Sequence, residues 1–271
     1  MTTDWEASLL GDDEEARDEA IDSLTDAPSG AAIDALQTLA SRDGGFNADV
    51  FTTLAICAAA AGGAVAQRVA SFLLERSAAF DKYDGPQVVG AIARMGPAAK
   101  GVAAPMTRLL EDENHRMAFA ARAVLVAMGS DPTSHVEFFI EKAALGSVDE
   151  SSTARTNLEG LAASVVGPCL ARAMQDSRPA VRAVAAMMSV RTQGLHAVSS
   201  LPALLALLGD PDASVRLAVL GVLNKGWGPK NEPLFAKDAG AIGPKLELLL
   251  GDPDAKVKAQ AATVKRRLGL P

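Results

Sequence analysis

Apolar residues recur along most of the chain at spacings of three and four, the stripe of an amphipathic helix. Ile33, Leu36, Leu39 and Ala40 share one side of one such segment, and Val257, Ala261, Val264 and Leu268 share one side of another. The interruptions are short and built from Gly, Pro and Asp, the residues that end helices and make turns. This pattern predicts helices near 47–61, 64–77, 86–95, 133–145 and 151–166, with Ser41 to Gly45 closing the one before them. Val50 to Gln67 is uncharged for eighteen residues, which reaches bilayer-spanning length. Gly62-Gly63 splits it and Thr52, Thr53 and Gln67 dilute it, so it reads as two buried helices.

The pattern also repeats at a larger scale. Leu201-Pro-Ala-Leu-Leu-Ala-Leu-Leu-Gly-Asp-Pro-Asp-Ala-Ser-Val-Arg216 is a short apolar helix, an Asp-Pro turn and the start of a second apolar helix. Gly243 to Lys258 repeats it, and Gly167 to Arg182 is a looser copy. These units begin at Pro168, Pro202 and Pro244, in steps of 34 and 42 residues. The longer step contains an insertion, Gly226 to Lys237, within an inter-repeat segment at 226–243. Gly96 to Gly129 is a further step of 33 residues. Leu9-Leu10-Gly11-Asp12-Asp13 echoes the same turn, one residue shorter, and its helix offers a polar capping face over residues 1–26. Residues 132–165 do not align with the template.

The turn has a mechanism. Pro179, Ala213 and Ala255 occupy one column, which places the start of the second helix there and the N-cap at Arg178, Asp212 and Asp254. An aspartate at that position accepts from free N–H groups and meets the positive end of the helix dipole. Proline at the first helical position loses no bond. Val215, Ala218, Val222 and Leu223 then face the first helix, as Val181, Val184, Ala185 and Met188 do one unit earlier.

The Pro-x-Leu-x-x-Leu-Leu-Gly-Asp-Pro-Asp-x-x-Val-Arg sentence resembles the HEAT-repeat family, in its short bacterial form related to the bilin-lyase HEAT-like group. The match is clearest at 90–129 and 167–269 and degenerate toward the N-terminus. The resemblance implies an all-α fold, a right-handed α-solenoid of about six to seven stacked antiparallel helical hairpins over 1–271, with second helices lining a concave face. It also implies a ladder in which Asp176, Asp210 and Asp252 meet the column Arg182, Arg216 and Lys258. At Lys258 the planar two-bond contact of arginine is lost.

Composition narrows the reading. Hydrophobic residues make up 49% of the chain, but 53 residues are Ala and aromatics are only 4%, which favours closely approaching helices over sheets. The net charge of −7 argues against a general nucleic-acid binder. That charge is uneven: residues 1–26 carry −9, the remainder +2, and Lys256, Lys258, Lys265, Arg266 and Arg267 crowd the last sixteen residues. Cys57 and Cys169, each in an apolar run, fit a reducing compartment. Met1 to Glu6 has no basic-then-apolar pattern of a secretory signal, so the expected setting is cytoplasmic, with no membrane partner.

The enzymatic branches of the resemblance make specific demands. Deoxyhypusine hydroxylases bind two irons through His-Glu pairs, whereas His115, His135 and His196 precede Arg116, Val136 and Ala197. A tetrapyrrole pocket calls for aromatic and basic residues, and a HEAT-like DNA glycosylase for tryptophans on a positive face. Here Trp5 sits in the acidic head and Trp227 in a loop. No catalytic, metal or cofactor residue is assigned, and a lyase-type enzyme is the reading that fits least.

Three binding devices remain. Trp227, Lys230, Phe235 and Lys237 in the insertion are a candidate anchor, the plainer alternative being that Trp227 covers a gap between repeats. Lys258, Lys265 and Arg266 face outward on the last helix, as a solvated cap or as a site for an anionic partner, nucleic acid or the acidic head of another copy. Ala186, Ser189, Gly221 and Asn224 give the concave side small or mildly polar positions suited to a helix or extended peptide. The expected function is a non-enzymatic scaffold that holds a partner protein or peptide on that face. The alternative is an anion binder using the basic C-terminal end.

Overall fold

A computed structural model describes residues 5–42, 46–193, 200–227 and 232–271. The described chain is helical apart from one antiparallel pair, Gly226–Trp227 with Glu232–Pro233, in which Gly226 opposes Pro233 and Trp227 opposes Glu232. It divides into two compact units, Met1–His135 and Val136–Pro271, with the boundary inside one helix.

The first unit contains α1 (Trp5–Leu10), α2 (Glu14–Asp26), α3 (Ile33–Ala40), α4 (Ala48–Ala61), α5 (Gly63–Ser77), α6 (Asp84–Ile92), α7 (Ala103–Arg108) and α8 (His115–Ala127). Side chains at the N-caps start three of them: Asp13 accepts from Ala16 N–H, Asn47 from Asp49 and Val50, and Asn114 from Arg116. These bonds satisfy donors that the first helical turn leaves open. Each helix packs on sequence neighbours: α1 on α2 and α3, α4 on α2, α3, α5 and α6, and α6 on α8. Leu9, Ile21, Leu36, Leu54, Leu73 and Ile92 fill the core between them. Gly62 and Gly63, both at positive φ, let α5 restart immediately after α4. The uncharged stretch is therefore two helices, and no described helix is long and apolar enough to cross a membrane. α6 ends three residues before the predicted position. A 3-10 run, Ala93–Val102, follows it, because Pro97 has no N–H and Gly96 turns at φ +53°.

The second unit follows α9 (Pro132–Leu145) with α10 (Val148–Gly160), α11 (Ala163–Ala173), α12 (Pro179–Gln193), α13 (Leu201–Leu207), α14 (Ala213–Leu223), α15 (Ala239–Leu249) and α16 (Ala255–Arg267). α11 packs on α12, α13 on α14 and α15 on α16, while the second helices stack α12 on α14 and α14 on α16. α12, α14 and α16 begin at the column that the turn mechanism indicates, and Asp212 and Asp254 accept from the first-turn N–H groups.

Two boundaries differ from the sequence reading. The helix expected over 151–166 is two helices, because Ser147 and Glu150 form a reciprocal capping box that starts α10 at Val148, and Leu161 and Ala162 are extended. The proline column does not start α11 or α15, which begin five residues earlier, at Ala163 and Ala239. Gly167 and Gly243 precede those prolines and carry no Cβ to collide with the ring, so the helix runs through.

Candidate interaction surface

The Asp-Pro turns of the second unit are tied to each other by arginine. Arg182 donates from Nε and Nη2 to both carboxylate oxygens of Asp210, at 2.7 and 2.8 Å, and from Nη1 to the carbonyls of Asp176 and Ser177 at 2.8 and 3.0 Å. Arg216 does the same one repeat later. It holds Asp252 at 2.8 Å through both bonds, and the carbonyls of Asp210 and Pro211 at 2.7 and 3.1 Å. Each planar guanidinium thus ties its own turn to the aspartate of the following one, a geometry lysine cannot reproduce. The four side chains are at most 12% exposed. Their arginine bonds hold the carboxyls of Asp210 and Asp252 below the usual aspartate range. Asp176, the first aspartate of the column, takes Arg178 instead, and Arg178 also reaches Glu141 at 3.1 Å.

The residues expected on the concave side and in the insertion are dispersed. Ser189 is fully buried and donates to Ala186 O at 2.8 Å, and Ala186 is buried too. α12 is packed by α10, α11 and α14, so positions that would face outward on a singly packed helix are covered. Phe235 is also fully buried, which makes it core and not an anchor. The insertion folds back on itself, with Leu234 N–H donating to Lys225 O at 3.3 Å. Asn224, half-buried, is the C-cap residue of α14, and Gly221 and Lys237 are exposed. Lys265 is engaged by Glu247 at 2.6 Å, while Lys258 and Arg266 are exposed. Trp227 lies in the two-residue strand, and Lys230 and His196 lie outside the described residues. His115 opens α8 edge-on to the Phe119 ring. His135 is buried, and that burial, with Arg122 nearby, pushes its pKa down.

A different place gathers polar groups around open space. A cleft of about 510 Å³ lies against α10, lined by Gly146, Ser151, Ser152, Arg155, Thr156 and Arg191 among others. Val148, at its lining, is 91% exposed, and Leu145 across the turn is 51% exposed. Arg155 donates weakly from Nη2 to Ala143 O at 3.3 Å, while its Nε is buried with no acceptor. Arg191 is paired with Glu159 at 2.5 Å. Beside the cleft, Lys142 and the Ser147 N–H hold Glu150 down to about 2, which fixes the α9–α10 turn. The sequence signal for this site was available in Ser147-x-x-Glu150 followed by Ser151-Ser152-x-x-Arg155-Thr156, a polar helix inside an otherwise apolar array. It lies in the stretch that matched no repeat template.

Residues 201–225 match the HEAT repeat family model. Among solved structures, human deoxyhypusine hydroxylase in complex with glycerol is similar at 17% identity, over 98% of this chain and 94% of that one, with a TM-score of 0.39. An engineered protein is similar at 16% identity, over 98% of this chain and 77% of that one, with a TM-score of 0.36. No curated protein matches the chain. Among the described residues, no group of three His, Cys, Asp or Glu side chains is placed to hold a metal ion.

Proposed function

We propose that this helical-repeat chain is a non-enzymatic interaction scaffold, and that it holds an acidic segment of a partner polypeptide in the cleft beside α10. The observation that carries this reading is Arg155. Its guanidinium keeps a buried Nε without an acceptor at the wall of an open cleft, where leaving a charged donor unbonded costs stability. The rest of the half-buried guanidinium faces the cleft and can donate to a carboxylate or backbone carbonyl of a partner. Val148, exposed beside it, gives the partner an apolar contact next to the polar one. The lining favours binding over turnover. Its charged groups are two guanidiniums and Glu159, and Glu159 is already neutralised by Arg191. A preformed surface of this kind lowers the ordering cost that the complex bears. We place the chain in a reducing, cytoplasmic setting, since Cys57 and Cys169 are buried thiols set in apolar helices.

The test is capture from native lysate with the full chain as bait, after nuclease treatment and at two salt concentrations, alongside Val148→Asp and Arg155→Glu. A stoichiometric polypeptide held by the wild type and lost from both variants supports the reading. Polypeptides that bind the variants equally, or recovery of nuclease-sensitive material alone, sink it.

A further inference from the structure

We propose that copies of this chain join head to tail, the last repeat of one stacking on the first repeat of the next and continuing the Asp–Arg ladder across the junction. The ladder has a direction, since Arg182 reaches forward to Asp210 and Arg216 reaches forward to Asp252. Its donor column ends on Lys258, which is exposed. Its acceptor column begins before the repeats that the ladder joins. Leu9-Leu10-Gly11-Asp12 matches Leu207 to Asp210 and Leu249 to Asp252, which puts Asp12 in the acceptor position. The match extends to the structure. Arg17 Nη2 donates into its own turn at Gly11 O, at 2.7 Å, one position before the carbonyl that Arg216 Nη1 uses at Asp210 O, at 2.7 Å, the turn here being one residue shorter. Asp13 caps α2 as Asp212 caps α14. Asp12 is exposed.

The two end faces depart from the inner faces in opposite senses. In register with the turn, the fully buried Leu220 and Leu223 of α14 are replaced in α16 by exposed Ala262 and by Lys265. Ala218 and Val222 are replaced in α2 by Glu19 and Ser23, both exposed. Leu208 is 2% exposed where a repeat follows it, and its counterpart Leu250 is only half-buried. A cap needs a polar face, but nothing about capping requires one end acidic and the other basic. Helix dipoles account for Glu14 and Glu15 at the start of α2 and for Lys265, Arg266 and Arg267 at the end of α16, but not for the other charges. Lys256 and Lys258 sit near the N-terminus of α16 and Asp22 and Asp26 near the C-terminus of α2, where each charge meets the wrong end of the dipole. Opposite charge presented on matching faces is what stacking of copies uses. Such a contact is heterologous, so it propagates into a filament unless the rotation closes a ring.

Sedimentation velocity over a concentration series tests this on the full chain, at about 50 mM and about 500 mM salt, between which the Debye length shrinks about threefold. The expected result is a mass that grows with concentration at low salt, and association weakened about tenfold or more at high salt. Two charge reversals make the test specific: a tail variant, Lys258→Glu with Arg266→Glu, and a head variant, Asp12→Lys with Glu19→Lys. Each alone should stay monomeric with an unchanged helical circular dichroism spectrum, and an equimolar mixture should associate again. A wild type that stays monomeric at low salt overturns the proposal. So does a reversed variant that associates like the wild type, or a mixture of two folded variants that does not recover. A labelled oligonucleotide that shifts a monomeric wild type would also overturn it, assigning the basic face to nucleic acid.

Discussion

The two units join their helical pairs across similar sequence distances, 28 to 36 residues, with different chemistry. In the second unit a guanidinium meets a carboxylate: Arg182 with Asp210, 28 residues on, and Arg216 with Asp252, 36 residues on. In the first unit one such pair, Arg68 with Asp34 at 3.3 Å, is exposed, and two other guanidiniums meet the backbone at the end of an earlier helix. Arg42 donates to Leu10 O at 2.9 Å across 32 residues, and Arg76 donates to Ala40 O at 3.0 Å across 36. Leu10 and Ala40 close α1 and α3, whose last carbonyls are unsatisfied and carry the negative end of the dipole. Asn114 makes a similar reach to Lys82 O at 2.9 Å. A backbone acceptor is present whatever residue supplies it. The first unit can therefore keep its joints while its sequence drifts from the template, whereas a carboxylate acceptor must keep its aspartate.

If the units differ in this way, substitutions in one should leave the other's unfolding unchanged. Trp5 and Trp227 are the two tryptophans, one in each unit, so Trp227→Phe and Trp5→Phe backgrounds give each unit its own fluorescence signal. The largest effect is expected from Phe51→Ala. Phe51, Phe46 and Phe80 form a three-ring cluster with centroids 5.6 to 5.7 Å apart, and Phe51 is 3% exposed. Its truncation should destabilise the first unit by about 3–5 kcal/mol in denaturant, with the Trp227 transition unmoved. A common shift of both signals would show one cooperative array.

Arg216→Ala comes next, at about 3 kcal/mol, read by Trp227 fluorescence, because it strands the buried Asp252 carboxylate. Replacing both partners with leucine should recover most of that loss, since a hydrophobic pair avoids the desolvation of two ions. Arg216→Lys should fall between, with one bond where the fork made two.

A smaller effect, and one of definite sign, is expected in acid. The carboxyls of Asp210 and Asp252 titrate lower in the folded chain than in the unfolded one, because their arginines bind the charged form. Their stabilisation is complete above the unfolded value near 4 and is lost as pH falls through the folded values. The carbonyl acceptors of the first unit do not titrate, although Asp81 there is also lowered by the N–H groups of Asp84 and Tyr83. Below about pH 4 the second unit should therefore lose stability faster than the first. Asp210→Asn with Asp252→Asn should reduce that extra slope, leaving the part due to Glu150, Asp176 and Asp212, and an unchanged slope would remove the ladder as a cause.

What the sequence disclosed follows the same division. Where the joint uses two side chains, both columns are visible as letters, so the turns, the N-caps Asp212 and Asp254 and the starts of α12, α14 and α16 were all legible. Where the joint uses a carbonyl, only the arginine is visible, and Arg42 and Arg76 look like ordinary surface cations. Ser189 and Phe235 misled for another reason. Their burial depends on how many helices surround α12 and on how the insertion folds back, which periodicity within one segment does not encode. The α10 cleft was missed because a capping box and a row of hydroxyls signal a helix start before they signal a site.

The smallest expected effect is also the most discriminating. Arg76→Ala removes the bonds to the carbonyls of Ala40 and Arg42 and the contact of its guanidinium with the Phe80 ring at 5.2 Å. Because the side chain is half-exposed, the loss should be about 1 kcal/mol from the first unit. The magnitude alone would not separate it from a surface ion pair, but coupling energies do. Combining Arg76→Ala with Ala40→Ser leaves the accepting carbonyl in place, so the two losses should add to within about 0.5 kcal/mol. Arg216→Ala combined with Asp252→Ala removes both ends of one interaction, and should show a coupling well above that. Equal coupling in the two cycles would mean that the first unit depends on side-chain identity as much as the second, and its drift from the repeat template would need another cause.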